Sequence, residues 1–513
     1  MASGGVTAQS VGSITFIDST IKNTPVGIIT AHDSTSQPPT GGSLILENVA
    51  LTNVPVAIQG PGGATVLAGT TGSTTIAGWG EGHEYTNLNG PTNFEGPITP
   101  NTRPSVLLSG SNYYYRQRPQ YGNVPLSSII SARSSGATGN GMTDDTVALQ
   151  NAINSAASQG KVLYLDQGDY KVTSTITIPP GSKIVGESYS VILSSGSFFN
   201  DINTRQPVLK IGTPGQSGSV ELQDMIVSTQ GPQAGAVLIQ YNLASSASNP
   251  SGIWDVHSRV GGFAGSQLQL AQCPTTPDTL TPPAAPNSNC IAAAIGLHLT
   301  PKSSGLFDLG SWLWTADHDV DDPSLTQITI YTGRGLLDES AGPVWLVGTA
   351  VEHHSKYQYQ FANAANVFAG FIQTETAYYQ PNPPAGAVFP TDSSIYDPVF
   401  APVSTATNLT ASNSSIPSED GWGLRVYDSK AILIYGAGHY SFFDNYNVTC
   451  SNQGGGEVCQ SHIVNIQGSS GVSLYNLNTV GTHYAVDLDG QNGLYYADNL
   501  DGFVDTVAIF RTG

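Results

Sequence analysis

Charge is what this sequence has least of. Asp, Glu, Lys and Arg together make up 11% of its 513 residues, against about 25% in ordinary soluble domains. The deficit is heaviest on the basic side: 17 Lys and Arg face 37 Asp and Glu, a formal net charge of −20. A surface this poor in cations cannot neutralise phosphates, which excludes nucleic-acid binding through a basic face. No run of about 18 apolar residues occurs, so no transmembrane helix and no membrane partner are expected. Apolar residues themselves are not short, at 39% hydrophobic and 9% aromatic, which excludes a disordered chain. Only four cysteines are present, none at zinc spacing. The opening residues Met1-Ala-Ser-Gly-Gly-Val6 lack the basic and apolar regions of a signal peptide.

What is abundant is turn-forming and β-branched. The 58 Gly and 32 Pro punctuate a chain rich in Ser, Thr, Asn, Tyr and Val, a composition that favours strands over long surface helices. The cysteines form two local pairs. Cys273 and Cys290 enclose a Pro-rich stretch, and Cys450 and Cys459 enclose a Gly-rich one. Both pairs read as loop-closing disulfides. With sequons at Asn408, Asn413 and Asn447, they point to an extracellular, secreted protein. Such a composition without a leader suggests an N-terminally truncated chain.

Internal repeats define the architecture. Ser13–Ile28 aligns with Ser43–Ile58 at an offset of 30, with Asn23/Asn53, Pro25/Pro55 and Val26/Val56 coincident. Each copy is a set of short β-branched runs joined by turn residues, the signature of stacked coils in a parallel β-helix. Around 100–135 the pattern gives way to Tyr113-Tyr-Tyr115, Arg116, Arg118 and Pro119, an extended connector. Thr143 is then a candidate N-cap, with Asp144 and Asp145 in the first turn of an amphipathic helix running to Ser158. Short strands follow to the end, so the helix suits a cap on the open first coil. The expectation is an all-β, right-handed parallel β-helix in a tandem pair. Residues 1–100 form the C-terminal part of an incomplete first helix, 101–135 a connector, and 136–513 a complete second helix.

A second repeat carries chemistry. Val344–His353 aligns with Val367–Thr376 at an offset of 23, about one coil, which places Glu352 and Glu375 at equivalent positions of adjacent coils. Parallel strands stack about 4.8 Å apart, so the carboxyl groups are expected about 5 to 9 Å apart. Like charges this close push one pKa upward. One protonated and one ionised carboxyl is what glycosidic-bond hydrolysis needs. Around them lie Trp312, Trp314, Asp317, His318, Asp319, Trp345, His353, His354, Gln373, Tyr378 and Tyr379. Aromatic faces in such a group stack on sugar rings, while acids, amides and His bind hydroxyls. The same residues have plainer readings, as solvated glutamates and a core Trp pair on one strand face. The pair His353-His354 lacks a third ligand at recognisable spacing, and the run Asp317 to Asp322 lacks the EF-hand pattern, so no metal and no cofactor are expected.

Asn140–Ile153 resembles the capping segment of the pectate-lyase-like superfamily, with Asn140 where an Asp is usual. Ile253-Trp-Asp-Val-His257, Trp312–Asp319, Gly342-Pro-Val-Trp345, Glu352-His-His354 and Gln373–Pro381 together resemble glycoside hydrolase family 55, the fungal β-1,3-glucanases, across essentially the whole chain. The resemblance implies two tandem β-helices with a cleft between them, and inverting, mostly exo-acting hydrolysis of β-1,3-glucan by a monomer. By matching position it implies Glu375 as general acid and Glu352 as the carboxylate that helps activate water. Tyr378 stacks in the sugar pocket, and Gln373, Trp312, Trp314, Asp317, His318 and His353 contribute to binding. Two polar residues that position water from the family's first helix have no counterpart in this sequence, which implies weakened activity for the chain by itself.

Two rivals remain. A pectin-active β-helix enzyme needs cations or calcium in its cleft for a polyanionic substrate, and no Arg/Lys cluster flanks the glutamates. A non-catalytic carbohydrate-binding β-helix or adhesin binds glucan without turnover.

Overall fold

In a computed structural model, the structure describes residues 12–513 apart from 33–35, 37–38, 277–284, 401–415, 417–418 and 452–456. The sequons at Asn408 and Asn413 lie outside the described residues. The chain is nearly all β. Among the described residues, mainly parallel ladders stack successive short strands into two long sheets of 23 and 10 strands, and the single α-helix spans Thr146–Ser158. This is a parallel β-helix.

The offset-30 repeat is one ladder step. Ile14 pairs with Leu44, Thr20 with Ala50 and Val26 with Val56, all in parallel register. Beyond that step the N-terminal lobe departs from the stacked coils expected of it. Thr65–Thr86 folds back antiparallel along Leu44–Gln59, and Asn89–Pro97 runs antiparallel to that strand. Strand direction depends on how the chain turns between runs, and β-branched patterning is blind to it.

The main ladder starts at Ile129–Ser131, which pairs in parallel with Val162–Tyr164. The helix begins later than the sequence pattern suggests. Asn140–Asp144 is a strand, and Asp145 stands at the N-cap position. Asp145 accepts hydrogen bonds from the Thr138 and Gly139 amides, while Asp144 accepts from the Thr146 amide at 3.0 Å. The two acids therefore hold the turn before the helix. Leu149, Ala152, Ile153 and Ala156 bury one helix face over the first coils.

The last strand, Val504–Arg511, joins the lobes. It pairs antiparallel with Ser470–Val480 and in parallel with the end of Thr65–Thr86. Beside this junction Glu47, 1% exposed, accepts from Arg103 Nε at 2.8 Å, the Asn101 amide at 3.1 Å, and the Tyr435 and Tyr475 hydroxyls at 3.0 Å each. Arg103 also donates to Asp18 at 2.7 Å. Tyr113 stacks on Phe368 with centroids 4.2 Å apart. One buried carboxylate and an aromatic cluster thus seal the lobes against each other.

Disulfides join Cys273 to Cys290 and Cys450 to Cys459. Among the described residues no helix is long and apolar enough to cross a membrane.

Candidate functional site

The offset-23 repeat is also a ladder step. Val344 pairs with Val367, and Glu352 pairs with Glu375. The ladder extends to Trp314 on one side and Tyr440 on the other. Alternation along each strand sorts the side chains. Leu313, Val351, Thr374 and His439 share one row and are buried. The rows on either side of it hold Trp314, Glu352, Glu375 and Tyr440, and Trp312, Ala350, Gln373 and Gly438.

His353 ties the two acids together. Its backbone amide donates to the Glu375 carbonyl at 2.9 Å, and its Nε2 lies 3.3 Å from Glu375 Oε2. Nδ1 lies 2.9 Å from the Thr315 carbonyl, which makes it a donor. The residue adopts φ +67°, an uncommon conformation for a non-glycine residue, and the strand ends there. One ligand atom each from Glu352, His353 and Glu375 lies within 4.8 Å of the others. This spacing would admit a metal ion. With its ring already held at both nitrogens, His353 is placed to organise two carboxyl groups. One carboxyl oxygen of each glutamate lies within 4.8 Å of the other, just below the 5 to 9 Å expected from stacking.

The local field favours protons. Burial raises the Glu352 pKa; His353 lowers it and Glu375 raises it further. Burial works against a charged His353, but Glu375, Glu352 and Asp317 outweigh it and hold the imidazolium up to about 9.

Trp312 and Trp314 form a stacked, partly open pair. Trp312 is 42% exposed and stacks on Trp314, with centroids 5.3 Å apart and planes at 24°. His257 Nδ1 accepts from the Trp312 amide at 3.1 Å. His318 pairs with Asp317 at 2.6 Å, and its ring lies 6.2 Å from that of Trp314. Gln373 Nε2 reaches Glu375 Oε1 at 3.4 Å. On the far side, a cavity of about 230 Å³ opens between the lobes beside Gln373 and Tyr440, with Ser13 and Thr15 from the N-terminal lobe facing Asn476 and Asn478.

Several expected residues lie elsewhere. Tyr378 does not line a sugar pocket: it is fully buried, its hydroxyl donates to the Ile328 carbonyl at 2.7 Å, and its ring meets His353 edge-on at 5.1 Å. It forms the floor under His353. Trp345 is buried in the seam and donates to the Leu107 carbonyl at 3.0 Å. His354 is a core residue between Thr332 and the Leu313 carbonyl, and burial lowers its pKa to about 3. Tyr379 is buried against Ser355. Asp319 accepts from the Asp321 and Leu270 amides, Asp321 from the Ala264 amide and Asp322 from the Thr326 amide, so these acids tie the segments 263–270 and 319–326 together. Tyr440, Asn478 and Arg259 were not foreseen. Tyr440 follows Glu375 by 65 residues in the ladder, so an intervening long loop hides the repeat.

The chain matches the family model described as Rhamnogalacturonase A/epimerase, pectate lyase-like, over residues 129–243. It is 45% identical to a "Glucan 1,3-beta-glucosidase" of Cochliobolus carbonum over 100% of its own length and 62% of that protein's. It is 33% identical to a "Probable glucan endo-1,3-beta-glucosidase" of Arthroderma benhamiae over 100% of its length and 67% of that protein's. Among solved structures, sacteLam55A from Streptomyces sp. SirexAA-E aligns over 75% of this chain and 55% of that one, at 19% identity and a TM-score of 0.43. The chain thus spans about two thirds of the curated relatives' length.

Proposed function

The chain belongs to the family of these fungal glucan 1,3-β-glucosidases, glycoside hydrolase family 55, and on that premise we propose that it hydrolyses β-1,3-glucan at the Glu352–Glu375 pair. The observation that carries the reading is the ladder pairing of the two glutamates beside a stacked, half-exposed tryptophan pair. In this reading Trp312 carries a sugar ring on its exposed face. Glu375, the more open of the two carboxyls, protonates the leaving glycosidic oxygen. Glu352 orients water on the opposite side of the anomeric carbon and takes its proton. His353 orients the Glu375 carboxyl through its imidazole and holds the Glu375 main chain through its amide, and Tyr378 supports the imidazole from below. We read the protein as extracellular, as its two disulfides suggest, and as acting without a partner subunit.

Inversion needs carboxyl groups about 6.5–9.5 Å apart so that water fits between base and sugar. One carboxyl oxygen of each glutamate lies within 4.8 Å of the other, so inversion requires a rotamer of Glu375, the more exposed of the two, that turns away from Glu352. One observation favours exchanged roles. Burial raises the Glu352 pKa, and a group that keeps its proton is suited to be the acid.

Laminarin and polygalacturonate offered to the same preparation test the class. Release of glucose from laminarin alone supports the reading. Cleavage of polygalacturonate moves the protein to the pectin-active enzymes, and laminarin binding without turnover makes it a binding module.

A further inference from the structure

The face of the ladder that carries the glutamates holds a second cavity. It measures about 280 Å³ and is lined by Asp169, Tyr189, Val191, Ile226, Arg259 and Phe263, among others. The register shows where it lies. Gln373, Ala350 and Trp312 form one row. Leu313 pairs with Ser258, which brings the preceding His257 beneath Trp312. His257 pairs with Ile226, Ile226 with Val191, and Val191 with Asp169. Six steps of about 4.8 Å separate Gln373 from Asp169, roughly 29 Å along one face. The neighbouring row runs from Glu375 through Glu352 and Trp314 to Arg259.

Arg259 joins the two places. Its guanidinium lies 5.5 Å from the Trp314 ring and 5.1 Å from the Phe263 ring. Its buried Nε has no hydrogen-bond partner among the described residues. Phe263 packs on Val191, Leu193 and Ile226, forming an apolar floor. Tyr189, 66% exposed, adds an open aromatic ring. Gln167, Asp169 and Asp321 add polar groups to the lining. Flat apolar surface edged by amide and carboxylate acceptors suits a neutral sugar chain, whose ring faces stack while its hydroxyls donate. The two aspartates disfavour a polyanion.

We propose that this cavity is a distal binding site for the same β-1,3-glucan chain that is cleaved at Glu352 and Glu375, and that it gives the protein a preference for long chains. The inference rests on the glucan-hydrolase reading above. The chain runs from the glutamates over Trp312 and Trp314, past Arg259, and seats its distal sugars on Phe263 and Tyr189.

The test compares the full chain with Tyr189→Ser and Phe263→Ala, measuring Kd by calorimetry and kcat/KM for long laminarin and for laminaribiose. Each variant should weaken laminarin by roughly three- to tenfold and leave laminaribiose unchanged. Equal losses on both substrates, or no loss on either, overturn the proposal. Tyr189 is largely exposed, so its substitution keeps the test readable if Phe263→Ala fails to fold. A wild-type chain that binds laminarin without cleaving it refutes the hydrolase reading, and the Kd comparison still decides the cavity. No laminarin affinity in the wild type overturns both.

Discussion

His353 Nε2 lies 3.3 Å from Glu375 Oε2, and the His353 amide donates to the Glu375 carbonyl one ladder step away. The residue beside each acid is therefore part of the pair's geometry. His353→Gln should lower kcat on laminarin by about ten- to a hundredfold with a smaller change in KM, and should shift the alkaline limb of the pH profile. An unchanged pH profile would make His353 merely structural.

The two glutamates differ in what a good leaving group can rescue. An aryl glucoside whose leaving group needs no proton bypasses the general acid. Glu375→Gln should lose roughly 10²–10⁴-fold on laminarin yet keep most of its rate on dinitrophenyl β-glucoside, whereas Glu352→Gln should lose on both. The reverse pattern assigns the acid to Glu352, as its burial favours. The anomer first released, followed by NMR, should be α; a β product would contradict inversion.

Trp312 should contribute binding rather than stability. Its ring is half-open and rests on Trp314, so Trp312→Ala should raise KM for laminarin by about five- to tenfold and leave the thermal midpoint nearly unchanged. A large fall in the midpoint with no change in KM would mark a core role.

The Glu47 seam should be costly to break. Glu47→Ala leaves the largely buried Arg103 with Asp18 as its one carboxylate partner and removes the carboxylate to which two buried tyrosine hydroxyls donate. Urea unfolding should show a loss of about 3–5 kcal/mol. A loss under about 1 kcal/mol would mean that the lobes are held by the aromatic packing alone.

Stability should decline as pH rises above about 6.5. Burial raises the pKa of Asp308 and Asp338 to about 7, and of Glu81 and Asp505 to about 8. These groups bind protons more tightly folded than unfolded, so their stabilisation is full below about pH 4 and is lost as pH climbs from there through those values. His353, held up to about 9, acts in the same direction between about 6.5 and 9. Buried His354 and His439, lowered to about 3, oppose this only below 6.5, where the unfolded chain takes up protons. Buried Lys356, lowered to about 8, opposes the decline above that value, so thermal midpoints should fall from pH 6.5 to 8; a rise over that range would contradict the burial of these groups.

The repeats were legible because register is written in spacing. Offsets of 30 and 23 placed Ile14 on Leu44 and Glu352 on Glu375 without a structure. Contacts between lobes were not legible. Trp345 faces Leu107 across a separation of 238 residues, and nothing in its local pattern distinguishes a buried seam tryptophan from a sugar platform. Tyr378 was misjudged for a related reason. Its place three residues past Glu375 suggests the sugar pocket, but its hydroxyl finds backbone acceptors in the core. Arg259 became visible as a site residue only once the ladder had placed it beside Trp314.

The central claim is that Glu352 and Glu375 cleave β-1,3-glucan. Glucose release from laminarin by the wild-type chain and by Glu375→Gln, at matched concentration and with folding checked by circular dichroism, tests it most directly. Turnover by the wild type with at least about a hundredfold loss in the folded variant is the predicted result. Equal release by both would contradict it.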